Sequence, residues 1–524
     1  MKKIVVLVIA LLLLLVVAPW GIGRLAEKRV NAGLDRLVQE APYMSIVERK
    51  WTSGWFRSQQ EVTFELLGPW LKAMNPATVL TEIEKAEEAA AAERNAEFAD
   101  ADTAAAQALE QVEAAEDAAP GSAETASAEA PEAEAPEASE AVLPPIRFTV
   151  RNEILHGPLL WPASLGLARV NTKVVLSDDF RRKLLEIFGT DEPLRISSRV
   201  GFFGGGSTRL SGDGQTIKLP EEAGTVTYDD YQLDVGYSKN LDDFDVNGEW
   251  PRIEANKAGS SERLLVSDIS LVGESERVQG ELYDADYKFA IDRILAVGAD
   301  GAETTIDGIH YLIASSVDDG FMDVGAKVGT GKLKHPALAE LQFDIDQVHY
   351  DFTLRRLHAE TLDNMMTAIK AAYSKPVKTV ADVENVLFAP MKEHAVALLK
   401  HDPELVFDRI GIVTPEGEGV IKGVLRLKGM GEADFATGSM AWLNKLEADF
   451  TIECAQKLIE KIPNGATGAG VMVDQGFAKR EGDKLVSRIE YEKGELKING
   501  KAQPIPGLGG PPPERMEPEP TVPE

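Results

Sequence analysis

Cysteine is almost missing from this chain: Cys454 stands alone among 524 residues. That rules out a disulfide within the chain, a four-cysteine zinc site and a CxxC redox pair. Positive charge is scarce as well. Fifty-five Lys and Arg stand against 85 Asp and Glu, a formal net charge of −30. No basic stripe compensates, so nucleic acid is excluded as the expected partner. The Gly-x-Ser-x-Gly nucleophile elbow does not occur. Ala326-Lys-Val-Gly-Thr-Gly-Lys-Leu333 resembles a P-loop but lacks its first Gly and its Ser/Thr, and reads as a hairpin. No apolar run beyond Gly23 is long enough to span a bilayer. At 44% hydrophobic residues the chain can still bury a core.

The start of the chain carries the strongest signal. Lys2 and Lys3 precede twenty uncharged residues, Ile4 to Gly23, closed by Arg24. Such a run spans roughly 30 Å as a helix, the thickness of a bilayer's hydrocarbon core. A signal peptide usually has a shorter apolar region and a small-x-small cleavage site, and none convincing precedes Arg24. The expectation is an uncleaved transmembrane anchor over 1–23, with Trp20 at the interface. Lys2 and Lys3 place the N-terminus in the cytoplasm, against the opposing Arg24, Lys28 and Arg29. The bulk would then lie outside: in the periplasm, for a Gram-negative source.

Residues 24–45 continue as an amphipathic helix, with Leu25, Val30, Leu34, Leu37 and Val38 on one broad face. Residues 46–80 hold the first strands of a β-rich body, as in the alternation of Val62, Phe64 and Leu66. The aromatic cluster around Gly54 (Trp51, Trp55, Phe56) is expected to plug a turn. Composition then breaks. Thr81 to Glu140 contains eighteen acidic residues and two basic ones. The segment 81–145 is expected to be a disordered Ala/Glu/Pro insert, because it has too little apolar surface to offset its ordering entropy. The Pro-rich tail 504–524 reads the same way.

The β-rich body resumes over 146–357. Alternating stretches include Gln232–Tyr237, Leu264–Leu271, Tyr287–Ile294, Gly320–Val328 and Leu341–Leu354, separated by Gly, Asn or Asp clusters. Single-face alternation with short connections points to antiparallel strands with one wet face. Helical spacing appears in the segment 358–402, first at Leu362, Met365, Met366, Ile369 and Tyr373. A second stretch, Val380–Lys400, contains Pro390. Strands return over 403–503, with Ala455–Ile462 as a short helix and hairpin turns at Pro415–Glu418 and Glu492–Gly494. The fold class is α+β, mostly β: a transmembrane helix, then a long curved antiparallel sheet or open sandwich with a few packed helices.

Candidate chemistry is sparse. His394 and His401 fall seven positions apart, not the three or four of a metal pair on one helix. Asp178-Asp179, Asp229-Asp230, Asp242-Asp243 and Asp318-Asp319 read as turn residues without the oxygen spacing of a Ca²⁺ loop. Gly201–Ser207 is glycine-rich but precedes no helix, which suits a bend or bulge. His156, in His-Gly-Pro, is the most notable histidine. No catalytic residue, cofactor site or metal site is assigned.

Three segments together resemble the YdgA-like family of bacterial proteins of unknown function, the DUF945 type. They are Lys50–Ser58, with Gly54, Trp55, Phe56 and Ser58; Glu153–Leu159, with His156, Gly157 and Pro158; and Ile489–Lys501, with Gly494, Asn499 and Gly500. The resemblance runs end to end except for the acidic insert. It implies an inner-membrane anchor and a periplasmic β-rich body, and no catalytic residues. The function expected first is a non-enzymatic, membrane-anchored envelope protein acting on lipids or protein partners, a second copy of the chain among them. The alternatives are a carrier holding a lipid or other hydrophobic ligand in an apolar β groove, and an unrecognised hydrolase.

Overall fold

Period-two alternation becomes strand through most of the chain that the computed structural model describes: residues 2–41, 44–66, 146–157, 159–160, 164–219, 223–373, 380–431, 433–434, 442–462 and 464–504. The strands are β1 Met44–Thr52, β2 Arg57–Leu66, β3 Ile146–His156, β4 Leu159–Leu160, β5 Ser164–Leu165, β6 Ala168–Val175, β7 Arg195–Val200, β8 Gly206–Gly212 and β9 Gln215–Lys218. There follow β10 Gly224–Tyr228, β11 Tyr231–Tyr237, β12 Asp243–Lys257, β13 Arg263–Gln279, β14 Leu282–Val297, β15 Glu303–Asp318, β16 Phe321–Thr330, β17 Leu333–Lys334 and β18 Gln347–His358. The last are β19 Glu404–Thr414, β20 Gly417–Leu427, β21 Leu446–Ala455, β22 Lys479–Glu481, β23 Lys484–Glu492, β24 Glu495–Ile498 and β25 Lys501–Gln503.

Apart from the small β4–β5 ribbon, all belong to one antiparallel sheet of 23 strands. Its connectivity is a meander. β8 with β9, and β10 with β11, act as two long kinked strands, since β8 pairs β11 and β9 pairs β10. Both halves of the second then pair β12. This is the antiparallel sheet expected, in its open single-sheet form.

Seven helices flank the sheet among the described residues: α1 Lys2–Glu40, α2 Asp178–Phe188, α3 Pro336–Glu340, α4 Ala359–Tyr373, α5 Val380–Leu399, α6 Gln456–Lys461 and α7 Gly465–Asp474. α1 runs unbroken through the junction expected at 23/24. Among the described residues no helix is long and apolar enough to cross a membrane. The side chains of residues 2–20, on which the anchor expectation rests, lie outside the described set, so the structure does not carry the transmembrane assignment. The acidic insert 81–145 and the tail beyond Pro504 also lie outside it.

Several details correct the sequence expectations. α2 interrupts the supposedly helix-free stretch 146–357. Ser177 caps it, accepting a hydrogen bond from Phe180 N, and Gly189 ends it at φ 65°. Asp178-Asp179 therefore opens a helix and is not a loop. α7 was not foreseen either; its sequence, GATGAGVMVD, is rich in small residues with weak periodicity. β18 begins at Gln347, so Leu341–Asp346 is not part of that strand. The P-loop-like segment is no hairpin: Gly331-Lys332 breaks one strand into β16 and β17, both of which pair β15.

Candidate functional site

The register of the sheet sorts its side chains into two faces. Residues directly paired across an antiparallel ladder lie on the same face. One such row runs Ile154, Val170, Ser198, Thr208, Val235, Val246 and Gly273. It continues through Tyr287, Ile313, Ala326, Phe352, Phe407, Gly423, Phe450, Ile489 and Ile498. No member carries a formal charge. The flanking rows behave alike: Leu271, Phe289, Tyr311, Val328, Tyr350, Ile410 and Ile421 on one side, Val324, Leu354, Leu405, Leu425 and Ala448 on the other. Between β18 and β19 the register shifts at Asp351/Phe352, and Asp408 is the extra residue. That bulge keeps the apolar side chains of both strands on one side.

The opposite face is charged and laced with ion pairs such as Arg209–Asp234, Arg151–Glu61 and Arg147–Glu65. Exposed pairs of this kind contribute about 0–1 kcal/mol each, so they mark a solvated face more than they stabilise it.

Cover over the neutral face is uneven. At one end α1 lies across it, burying Ala26 against Ile154, Leu167, Ala168 and Val170, with Ile22 and Val30 alongside. Leu34 and Val38 pack on Val62, Phe64 and Val150. The inward stripe of α1 is thus Ile22, Ala26, Val30, Leu34 and Val38, while Leu25 and Leu37 of the expected stripe are exposed. α4 closes a second patch, where Leu362 packs against Leu282, Met322 and Ala359. α4 meets the sheet near the ends of β14, β16 and β18, and along the middle of β18 the face is open: Tyr350 is 53%, Phe352 38% and Leu354 40% exposed.

Buried polar groups seat α1. Gln60, fully buried, donates to Asn31 Oδ1 at 2.8 Å and accepts from Asn152 Nδ2 at 2.9 Å. Asn152 Oδ1 in turn accepts from Thr172 at 2.7 Å. About two turns earlier on the helix, Gly23 lies against the buried ring of His156, and a β-carbon there would come within 2.6 Å of it. The same ring has its Nε2 3.1 Å from Ser58 Oγ, also buried. A serine beside a histidine is the minimum for nucleophilic chemistry, but this pair is buried beneath α1, away from solvent. Its geometry is that of a docking contact.

Next to this seat lies a cavity of about 440 Å³ between α1 and the sheet. Its walls include Leu34, Val150, Val170, Val200, Thr208 and Tyr237, members of α1 and of the uncharged rows. Arg29, Arg36 and Lys239 complete it, and no carboxylate is among its lining residues. Arg36 donates to the carbonyl of Lys239 at 2.6 Å. Burial pushes the Tyr237 phenol up from its ordinary pKa, partly offset by the Thr208 hydroxyl. Sequence reasoning placed Leu34 on the buried side of the helix and noted Arg29 only as a flanking charge; it missed Gln60, Asn152, Arg36 and Lys239. The available signal was polar Gln60 and Asn152 at inward positions of alternating strands.

A family profile described as "Bacterial protein of unknown function (DUF945)" matches residues 1–97 and 121–506. The chain belongs to that family. No curated protein and no solved structure matches it. Residues 98–120, inside the acidic insert, fall between the two matched stretches of the DUF945 profile.

The motif positions of this DUF945 chain do not form one cluster. Ser58 and His156, 98 positions apart, meet as described. Gly54 shapes the β1–β2 turn, where an added β-carbon would meet the Arg57 carbonyl at 2.1 Å. Trp55 and Phe56 are exposed in that turn, so only Trp51 packs as a plug would. Gly157 follows β3, and Pro158 lies outside the described residues. Gly494, Asn499 and Gly500 are far away, in the last two hairpin turns. The pairs Lys493-Gly494 and Asn499-Gly500 both have positive φ, the geometry of tight two-residue turns.

Elsewhere, His401 falls beyond the end of α5, so it does not share a helix with His394. Its ring stacks on His358, with centroids 3.8 Å apart, and Phe321 packs edge-on to both. Among the described residues no group of three or more His, Cys, Asp or Glu is placed to hold a metal.

Proposed function

We propose that this protein is a membrane-anchored, YdgA-like envelope protein whose sheet carries lipid acyl chains along its uncharged face. What carries the reading is the register. Three adjacent rows without a formal charge cross the sheet, and they are open to solvent at Tyr350, Phe352 and Leu354. An apolar sheet face of this length needs an apolar partner layer, and among the described residues α1 and α4 cover only parts of it. Acyl chains suit that layer because α1 leads directly into the apolar run Ile4–Gly23, which places the bilayer next to the covered end. In this reading the helix start is an inner-membrane anchor, the body faces the periplasm, and the protein moves or holds lipid without chemistry.

The test is a photo-crosslinking residue in the full-length protein in cells. At Phe352, on the uncharged face, irradiation should give lipid adducts by mass spectrometry. At Asp351, on the charged face, it should give none. Equal yields at the two positions, or protein-only adducts at Phe352, would defeat the proposal.

A further inference from the structure

We infer that the cavity beneath α1 is the headgroup site through which an anionic lipid enters that face. This rests on the acyl-chain reading, and it assigns the charge of the ligand and the place where it is held. Among the described residues Arg29, Arg36 and Lys239 take part in no salt bridge, although the chain carries 85 carboxylate side chains. Three cations without a carboxylate beside an apolar wall complement a molecule with a negative head and a hydrocarbon body. The site is close-set: a β-carbon on Gly204 would meet Lys239 Cγ at 2.6 Å and Arg29 Nη1 at 3.2 Å. That gives glycine, at φ 102°, a steric reason to sit between the two cations.

Position along the chain supports a lipid source over a free anion. Arg29 and Arg36 follow Gly23, the last residue of the apolar run, by six and thirteen positions on one unbroken helix. At about 1.5 Å per residue they stand roughly 9 and 20 Å beyond it, just outside a headgroup layer of about 5–8 Å, where a lipid drawn from the bilayer would first meet the protein. The cavity's far wall consists of Val170, Thr208, Val200 and Tyr237, which begin the same rows that pass through Phe352 and Leu354. Head and chain are therefore held by continuous surface.

The experiment uses full-length protein in nanodiscs of either phosphatidylglycerol or phosphatidylcholine, with a photo-crosslinking residue at Tyr237 in the cavity or at Phe352 on the open face. Adducts at Tyr237 should favour phosphatidylglycerol by about fivefold per cation engaged. The R29Q/R36Q/K239Q variant should lose that preference while keeping its circular dichroism spectrum. Equal adduct yields from the two lipids, or a preference that survives the triple variant, would overturn the inference. Adducts at Phe352 without selectivity at Tyr237 would leave the acyl-chain reading standing and sink only this one. Selective adducts at Tyr237 with none at Phe352 would mean that lipid does not pass from the cavity onto the face, and would overturn both. Inorganic phosphate competing as well as phosphatidylglycerol would mean that the site binds a free anion and not a lipid, and would also overturn the inference.

Discussion

If the buried amide ladder holds α1 on the sheet, cutting one rung should release the helix by a calculable amount. Gln60→Met keeps roughly the length of the side chain and removes both amide functions. Asn152 Nδ2, almost fully buried, then loses its acceptor, at a cost of about 1–3 kcal/mol for an unsatisfied group. Asn31 Oδ1 on the half-buried helix side loses one hydrogen bond, about 0.5–1.5 kcal/mol net. Both groups recover water once α1 lifts away, so the whole penalty falls on the docked state. Lifting should become easier by about 2–4 kcal/mol, which is about thirty- to seven-hundred-fold in the opening equilibrium. The reporter is Val30→Cys in a Cys454→Ser background, since Val30 packs in the α1 seat and Cys454 is the sole native thiol. Under conditions where opening limits access, the rate of maleimide labelling reads that equilibrium. A change of less than about threefold would mean that the apolar stripe alone seats the helix and the ladder does not.

Other outcomes follow from the same structure. Phe352→Asp should cost only about 1–2 kcal/mol in chemical denaturation, because the carboxylate reaches water on an open face; 3 kcal/mol or more would indicate a closed core. Deleting Glu82–Ala141 shortens the connection between Leu66 and Ile146, which are paired neighbours, roughly fourfold, and should stabilise by about 1 kcal/mol. A large drop in melting temperature would show that the insert docks on the body. Burial, then the charge of His358, holds the His401 imidazole below its ordinary pKa, with Arg356 adding to this and Asp402 opposing it. The folded state therefore prefers the neutral ring, and the unfolded chain takes up the proton first as pH falls through about 6.5. The associated stability is present above that pH and is lost below it. His401→Asn should flatten the denaturation midpoint between pH 7.5 and 5.5, and an unchanged slope would rule the pair out as its source.

Much of the fold is legible because local patterning and tertiary structure agree. The hairpin β23–β24 is written in Glu492-Lys-Gly, and α4 in the spacing of Leu362, Met366 and Ile369. Where the sequence misleads, two signals compete. Ser177-Asp-Asp looks like a turn until Phe180, Leu184 and Ile187 are read as the start of a helix. Phe343 and Ile345 repeat the period-two pattern of β18 but out of phase with it, Ile345 and Val348 being three apart, and the chain at Leu341-Gln342 turns, with Gln342 at positive φ. The candidate site was hidden for a different reason. Arg29 and Lys239 are brought together only by the docking of α1 on the sheet, and Ser58 and His156 by the register of β2 and β3. No local window contains either pair.

The meander also bears on how such a protein changes length. Each long strand is hydrogen-bonded to the one that precedes it and the one that succeeds it, so a hairpin contacts little beyond its two neighbours. Gaining or losing a whole hairpin leaves every remaining strand with the same face toward the same side, because two reversals restore direction and register. Adding a single strand would reverse every strand downstream of it. Relatives of this chain can therefore differ in span by strand pairs while their ends stay recognisable, much as a bridge is lengthened by identical bays between fixed abutments. The chain-local pairing also lets each bay form soon after it is synthesised, without waiting for a distant partner.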